Sequence, residues 1–229
     1  MATASQMVDP VIFANLQSKI DEEDSFRNAV RDIIQELDKQ TKFALAILSR
    51  AHSTPAARIG EVTGAAEITI KELINTIAKL SETASQQPYY KFNYIWTRHM
   101  QDACFTILFA GWLQHNGKLF TIEEVGDILK VPVNLKDRDA FHLTVEEYLL
   151  ALITLIDELA RLSRNCVTLG DYKRPMEINQ FIKDVHAGFG ILNLKNDILR
   201  KRSDGIKYRI KECEDVVYDL SLRNLAPQT

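Results

Sequence analysis

Asp102, Glu158 and Asp171 are the residues of this chain best suited to hydrolytic chemistry. Clustered carboxylates can hold a divalent cation and orient water against a phosphodiester. The three fall on different segments, however, and nothing in their spacing brings them together. Asp157 and Arg161 stand four apart, which reads as a helix-surface ion pair. A di-iron bundle needs Glu-x-x-His twice, and that pattern is absent from the chain. So are a P-loop, a Gly-rich dinucleotide turn and GxSxG. No catalytic or metal-ligating set is assigned beyond these three acids.

A second chemistry is the capture of a polyanion. Residues 192–211 read LNLKNDILRKRSDGIKYRIK, and from 200 to 211 Asp204 is the sole acid facing Arg200, Lys201, Arg202, Lys207, Arg209 and Lys211. Helical steps of 100° place Arg200, Lys207 and Lys211 on one side, with Arg202 and Arg209 on another. Such a strip neutralises phosphates, or simply lies solvated along a helix surface. Residues 89–100, YYKFNYIWTRHM, interleave five aromatic rings with Lys91, Arg98 and His99. Rings that stack on bases beside cations that meet phosphate suit unpaired nucleic acid, while an aromatic bundle core with wet polar tips satisfies the same pattern. Leu192, Leu199, Ile206, Cys213 and Leu220 recur every seven residues. That series is either a seam between subunits or the buried face of one bundle helix.

These residues must be positioned by helices. The 229 residues are 46% hydrophobic, enough for one substantial core or two small ones, and only nine glycines and six prolines punctuate them. A net charge of -3 gives no global reason to expect nucleic acid, so a polyanion site has to be a local patch. Cys104, Cys166 and Cys213 are isolated within apolar segments, which argues for buried thiols in a reducing compartment and against disulfides or zinc. Residues 1–25 lack a basic stretch followed by an apolar run. The richest apolar run, YLLALITLI at 148–156, is about half the ~20 residues that span a bilayer. The expectation is a soluble intracellular protein with no membrane partner.

Apolar residues at spacings of three and four predict seven helices. The first spans 9–50, the second 56–83, with breaks at HSTPA and SQQP. The third, 89–115, is apolar nearly all round in its second half and therefore buried. Thr121 with Glu124, and Thr144 with Glu147, are capping boxes that open the fourth and fifth. The sixth starts beside Pro175 and the last runs over 194–222. The fold class is all-α: a single seven-helix domain over 1–229, with 1–8 and 225–229 as flexible tails.

From Tyr89 onward the chain resembles the translin family, most densely in FHLTVEEYL, ELARLSRNCVTLGDYKRP and GFGILNLKNDILRKRSDGIKYRIKECEDVVYDLSLR. Residues 1–88 match mainly in helical pattern. The resemblance implies a hollow, barrel-shaped homo-octamer that binds single-stranded RNA and DNA in cytoplasm and nucleus. It further implies a mixed octamer with the paralogue translin-associated factor X. That complex is an endoribonuclease requiring Mg2+, acting on passenger strands of small RNAs and on transfer-RNA fragments.

In the family the C-terminal helix serves assembly, which points to Leu192, Leu199, Ile206, Cys213 and Leu220 as oligomerisation residues. The nucleic-acid-binding candidates are Lys91, Arg98, Arg200, Lys201, Arg202 and Lys207. The family's basic stretch falls on Lys91, Asn93, Ile95 and Thr97, of which only Lys91 is cationic here. Affinity through this helix should be reduced, with more load on Arg200, Lys201 and Arg202. Among the acids of the catalytic paralogue, Asp102, Glu158 and Asp171 have counterparts, and Phe105 replaces another. The expectation is a subunit that holds RNA while its partner supplies the chemistry. A weak Mg2+-dependent ribonuclease and a pure assembly scaffold are the alternatives.

Overall fold

The computed structural model describes residues 9–133, 135 and 139–225. The tails 1–8 and 226–229 lie outside the described residues. Helix α1, Pro10–Leu48, opens where the Asp9 carboxylate accepts a hydrogen bond from the Val11 N–H at 2.9 Å. Pro10 takes the first turn, where a missing N–H costs nothing. After short 3-10 turns through the HSTPA break, α2 (Ile59–Ala84) runs back along α1. α5 (Ile122–Leu129) and α6 (Val145–Thr168) start at the two capping boxes read from the sequence, each with both reciprocal hydrogen bonds formed.

Two expected helices are broken. The third divides into α3 (Tyr89–Phe92) and α4 (Thr97–Gln114), joined by a 3-10 turn at Asn93–Ile95. Phe92 packs on Phe26 of α1 at 4.6 Å between ring centres, and Trp96 packs on Phe141 at 5.7 Å. The segment serves two neighbours and yields between the two rings. The last divides into α8 (Asp197–Ser203) and α9 (Ile206–Leu222). A Cβ at Gly205 would lie 3.1 Å from the Arg202 carbonyl oxygen, a close approach that favours glycine at this bend. Counting each divided pair as one, with α7 at Arg174–Ile191, recovers the seven-helix plan.

α6 is the central element. It packs against α4 on one side and against α7, α8 and α9 on another, while α4 also meets α1 and α2. One continuous hydrophobic cluster runs from Phe26 to Cys213. α4 is buried nearly all round, with Met100, Cys104, Phe105, Phe109 and Trp112 inside it. Among the described residues there is no strand, only an isolated bridge between Val133 and Leu143. None of their helices is long and apolar enough to cross a membrane. The three cysteines are buried and unpaired, and burial pushes the thiols of Cys166 and Cys213 up to about 11. The first turns of α1 make no use of the core: Val11, Ile12, Phe13, Leu16 and Ile20 are all exposed.

The heptad series needs correction. Leu199, Ile206, Cys213 and Leu220 are each no more than 2% exposed within their own chain, where α8 packs on α6, and α9 on α6 and α7. Side chains already covered by their own subunit cannot also form an intermolecular seam. Leu192 differs: it follows the last turn of α7 and is 43% exposed. The outward surface of α8 and α9 carries Ile198, Tyr208, Tyr218 and Leu222 instead.

Candidate nucleic-acid interface

The aromatic segment and the basic segment, about a hundred residues apart in the chain, meet at one pocket of about 470 Å³. Tyr90, Asn93, Thr97 and Gln101 form one wall, successive turns on one face of α3–α4. His142 and the first turn of α6 form the floor; Asn196 and Ile198, where α8 begins, close the far side. The pivot is Asn196. Its side-chain oxygen caps α8 by accepting from the N–H groups of Ile198 (2.9 Å) and Leu199 (3.1 Å). Its Nδ2 donates to Glu146 Oε2 on α6 at 3.1 Å. One amide therefore starts the basic helix and fixes it beside the pocket.

Two polar side chains of the floor are almost closed to solvent. Glu147, 1% exposed, accepts from the Thr97 hydroxyl through Oε1 and from the Thr144 N–H through Oε2 at 2.9 Å. Burial holds its carboxyl above the usual carboxylate range, against the pull of the hydrogen bonds from Thr97 and Thr144. His142, 2% exposed, stacks on Tyr89 with ring centres 4.3 Å apart. Its Nδ1 lies 2.7 Å from the Ala140 carbonyl oxygen, which can only accept, so Nδ1 carries a hydrogen. The Tyr90 ring is exposed at the mouth.

The candidate cations divide into engaged and available groups. Lys91 pairs with Glu23 of α1 at 2.5 Å. Arg98 pairs with Asp102 at 3.2 Å and does not line the pocket. Arg202 is half-buried and donates to the Thr154 hydroxyl of α6 at 3.1 Å, a docking contact. Arg200 is exposed and pairs with Asp197 of its own helix at 3.0 Å. Lys201 and Lys207 are exposed and make no ion pair among the described residues; the Lys207 ammonium lies 5.1 Å from the Tyr208 ring centre. Surface pairs of the Arg200 kind hold weakly and release readily to phosphate. Arg209, by contrast, is committed to Asp157 and Glu212 at 2.8 and 2.7 Å.

The three candidate carboxylates do not converge. Glu158 Oε1 lies 2.7 Å from His52 Nε2 and accepts from Arg161 at 2.6 Å. Burial pushes Glu158 up, but the hydrogen bonds from His52 and Arg161 together outweigh it and hold the carboxyl below the usual range. Asp171 accepts from the Arg174 backbone N–H at the start of α7 and lies 3.5 Å from the Arg174 guanidinium. Phe105 is buried and stacked on Phe109 at 5.9 Å, where no ligand could bind an ion. Among the described residues no three His, Cys, Asp or Glu side chains gather as a metal site would require. Each acid is instead held by a cation of its own chain, so these residues do not fit a divalent-ion centre.

Sequence reasoning missed Gln101, His142, Glu146 and Asn196, and noted Asn93 only as a position lacking the family's cation. The 90/93/97/101 spacing marks a helical face that could have been read. That Asn196 closes the pocket depends on long-range packing, which no local pattern shows.

The sequence profile of the Translin family matches residues 25–224. The chain belongs to the translin family. Human translin is 37% identical over 223 residues, and mouse translin 37% over 220; both alignments cover 95% of this chain and 95% of the relative. Translin-associated protein X of Pongo abelii is 22% identical over 228 residues, covering 92% of this chain and 78% of that protein. The fold is that of the apo-NeC3PO crystal structure (TM-score 0.69, 16% identity, 93% of this chain and 98% of that one). It is equally that of the AfC3PO–duplex RNA complex (TM-score 0.70, 15% identity, 94% and 99%).

Proposed function

We propose that this translin-family chain binds single-stranded RNA and DNA as the subunit of a hollow homo-octamer. With translin-associated factor X it forms a mixed complex in which it holds the strand while the partner supplies Mg2+-dependent cleavage. The observation that carries this reading is the meeting of Tyr90 and its helical face with the start of α8 at one pocket, with Arg200 and Lys201 one turn further on. Family membership and the likeness to translin-associated protein X support the assembly and the partner. The AfC3PO relative was solved with duplex RNA; an exposed ring above a pocket favours unpaired bases here, because a duplex keeps its bases stacked. Exposed Val11, Ile12, Phe13, Leu16 and Ile20 form the kind of apolar surface that subunit contacts cover.

Phosphates would run along Arg200, Lys201 and Lys207 while bases turn toward Tyr90. Binding should therefore be steeply salt-dependent and modest in sequence preference. Asp102, Glu158 and Asp171 act as structural anions, each balancing a cation of its own subunit.

The test is filter binding of single-stranded RNA at two salt concentrations, with and without Mg2+, on a particle of measured mass. Binding without cleavage by a closed oligomer is expected. A stable monomer would overturn the closed shell, and a particle that ignores RNA would leave only a scaffold. Cleavage abolished by Asp102→Ala would make the chain itself a nuclease and overturn the division of labour.

A further inference from the structure

The pocket between α3–α4, α6 and α8 has an unusual lining for a protein expected to bind phosphate: among the described residues no lysine or arginine contributes to it. The Asn93 and Gln101 amides of its lining can donate or accept, whereas Glu146 and His142 supply acceptors. Glu146 uses Oε2 for Asn196, and its Oε1 has no partner among the described residues. Because the His142 Nδ1 hydrogen is spent on the Ala140 carbonyl, Nε2 is the ring nitrogen left to meet a ligand, and with one hydrogen on the ring it presents a lone pair. That nitrogen also has no hydrogen-bond partner among the described residues, in a side chain that is 2% exposed. Thr97 offers no spare donor, since its hydroxyl hydrogen goes to Glu147. Among the described lining residues a phosphate would meet two carboxylates and no lysine or arginine. A flat, uncharged group bearing N–H donors would meet two acceptors, with the Tyr90 ring exposed at the mouth as a stacking face.

We propose that this pocket receives single unstacked nucleobases and selects those carrying an exocyclic amino group, with Glu146 and His142 Nε2 accepting from the amine and Tyr90 stacking on the base. The inference rests on the strand-binding reading above and adds a specificity to it. Uracil and thymine present a carbonyl where cytosine presents its amine, and that carbonyl oxygen would face the free Oε1 of Glu146, acceptor against acceptor. The cations of α8 lie outside the pocket, so affinity and base choice are divided between different residues.

The experiment compares full-length oligomer binding to two pairs of short labelled strands, by fluorescence anisotropy. One pair is oligo-cytidine against oligo-uridine. The other is oligo-adenosine against a strand of purine riboside, which lacks only the amine. The amine-bearing strand should bind roughly tenfold tighter in each pair, as a single base-edge contact discriminates. Glu146→Gln, with helix content checked by circular dichroism, should bring the ratio close to one by raising affinity for the amine-free strand and lowering it for the other. Equal binding of both strands by the unaltered protein overturns the proposal without any variant. So does a preference that survives Glu146→Gln undiminished. Failure to bind any of the four strands would instead overturn the proposed function itself.

Discussion

Glu147 shows how one side chain can cost and contribute stability together. Its two oxygens serve Thr97 and the α6 cap, yet burial holds its carboxyl above the usual range. A group whose folded-state pKa is raised contributes stability at low pH and loses it as pH climbs through that value. Glu147→Gln keeps an acceptor for the cap and removes the ionisable charge. It should therefore raise the melting temperature at neutral pH, with the gain fading on acidification. Glu147→Ala should lower it, at a stability cost of about 1 kcal/mol or more, through loss of the cap. Glu158 has the opposite sign, since its partners hold the carboxyl below the usual range despite burial. Its contribution is present above the usual carboxylate range and is lost as pH falls through the depressed value. Glu158→Gln should cost about 1–3 kcal/mol at neutral pH, and its deficit should close in acid, as thermal melts at two pH values would show.

At the scale of elements, helix existence, helix ends and the identity of the buried helix were legible because each has a local cause. Thr121 and Thr144 cap where their glutamates stand three residues on, and the ACFTILFAGWL stretch of α4 is buried because it has no wet face. Of the two breaks, the α3–α4 one was not legible, because it answers to Phe26 and Phe141, far away in the chain. The α8–α9 bend has a local cause, the close approach of Gly205 to the Arg202 carbonyl, and a glycine inside the helix was its readable signal. The heptad spacing of Leu199 to Leu220 was visible, but period alone does not say whether the surface it meets belongs to the same chain. Among the basic residues, charge was legible and engagement was not: Arg209 and Arg202 are spent on α6, whereas Lys201 and Lys207 remain. Replacing Lys201 and Lys207 by glutamine should therefore reduce the slope of log affinity against log salt by roughly one each. Arg209→Gln should leave the slope unchanged and lower the melting temperature. Titrations at several salt concentrations distinguish the two.

At the scale of the whole molecule, the folded subunit leaves apolar surface uncovered. Ile12, Phe13, Leu16 and Ile20 lie within an arc of about 100° on the first turns of α1, ahead of the first core residue of that helix at Phe26. A second copy covering that stripe would account for it. Leu16→Asp with Ile20→Asp should then lower the particle mass measured by light scattering while leaving helix content intact. An undiminished mass would place the contact elsewhere. The buried cysteines carry a separate consequence. With Cys104 on α4, Cys166 on α6 and Cys213 on α9, the chain holds three silent alkylation targets spread through its interior. Few of them are thiolate in the native state, so iodoacetamide should label each only at the rate at which its helix comes loose, and mass spectrometry would date each opening separately.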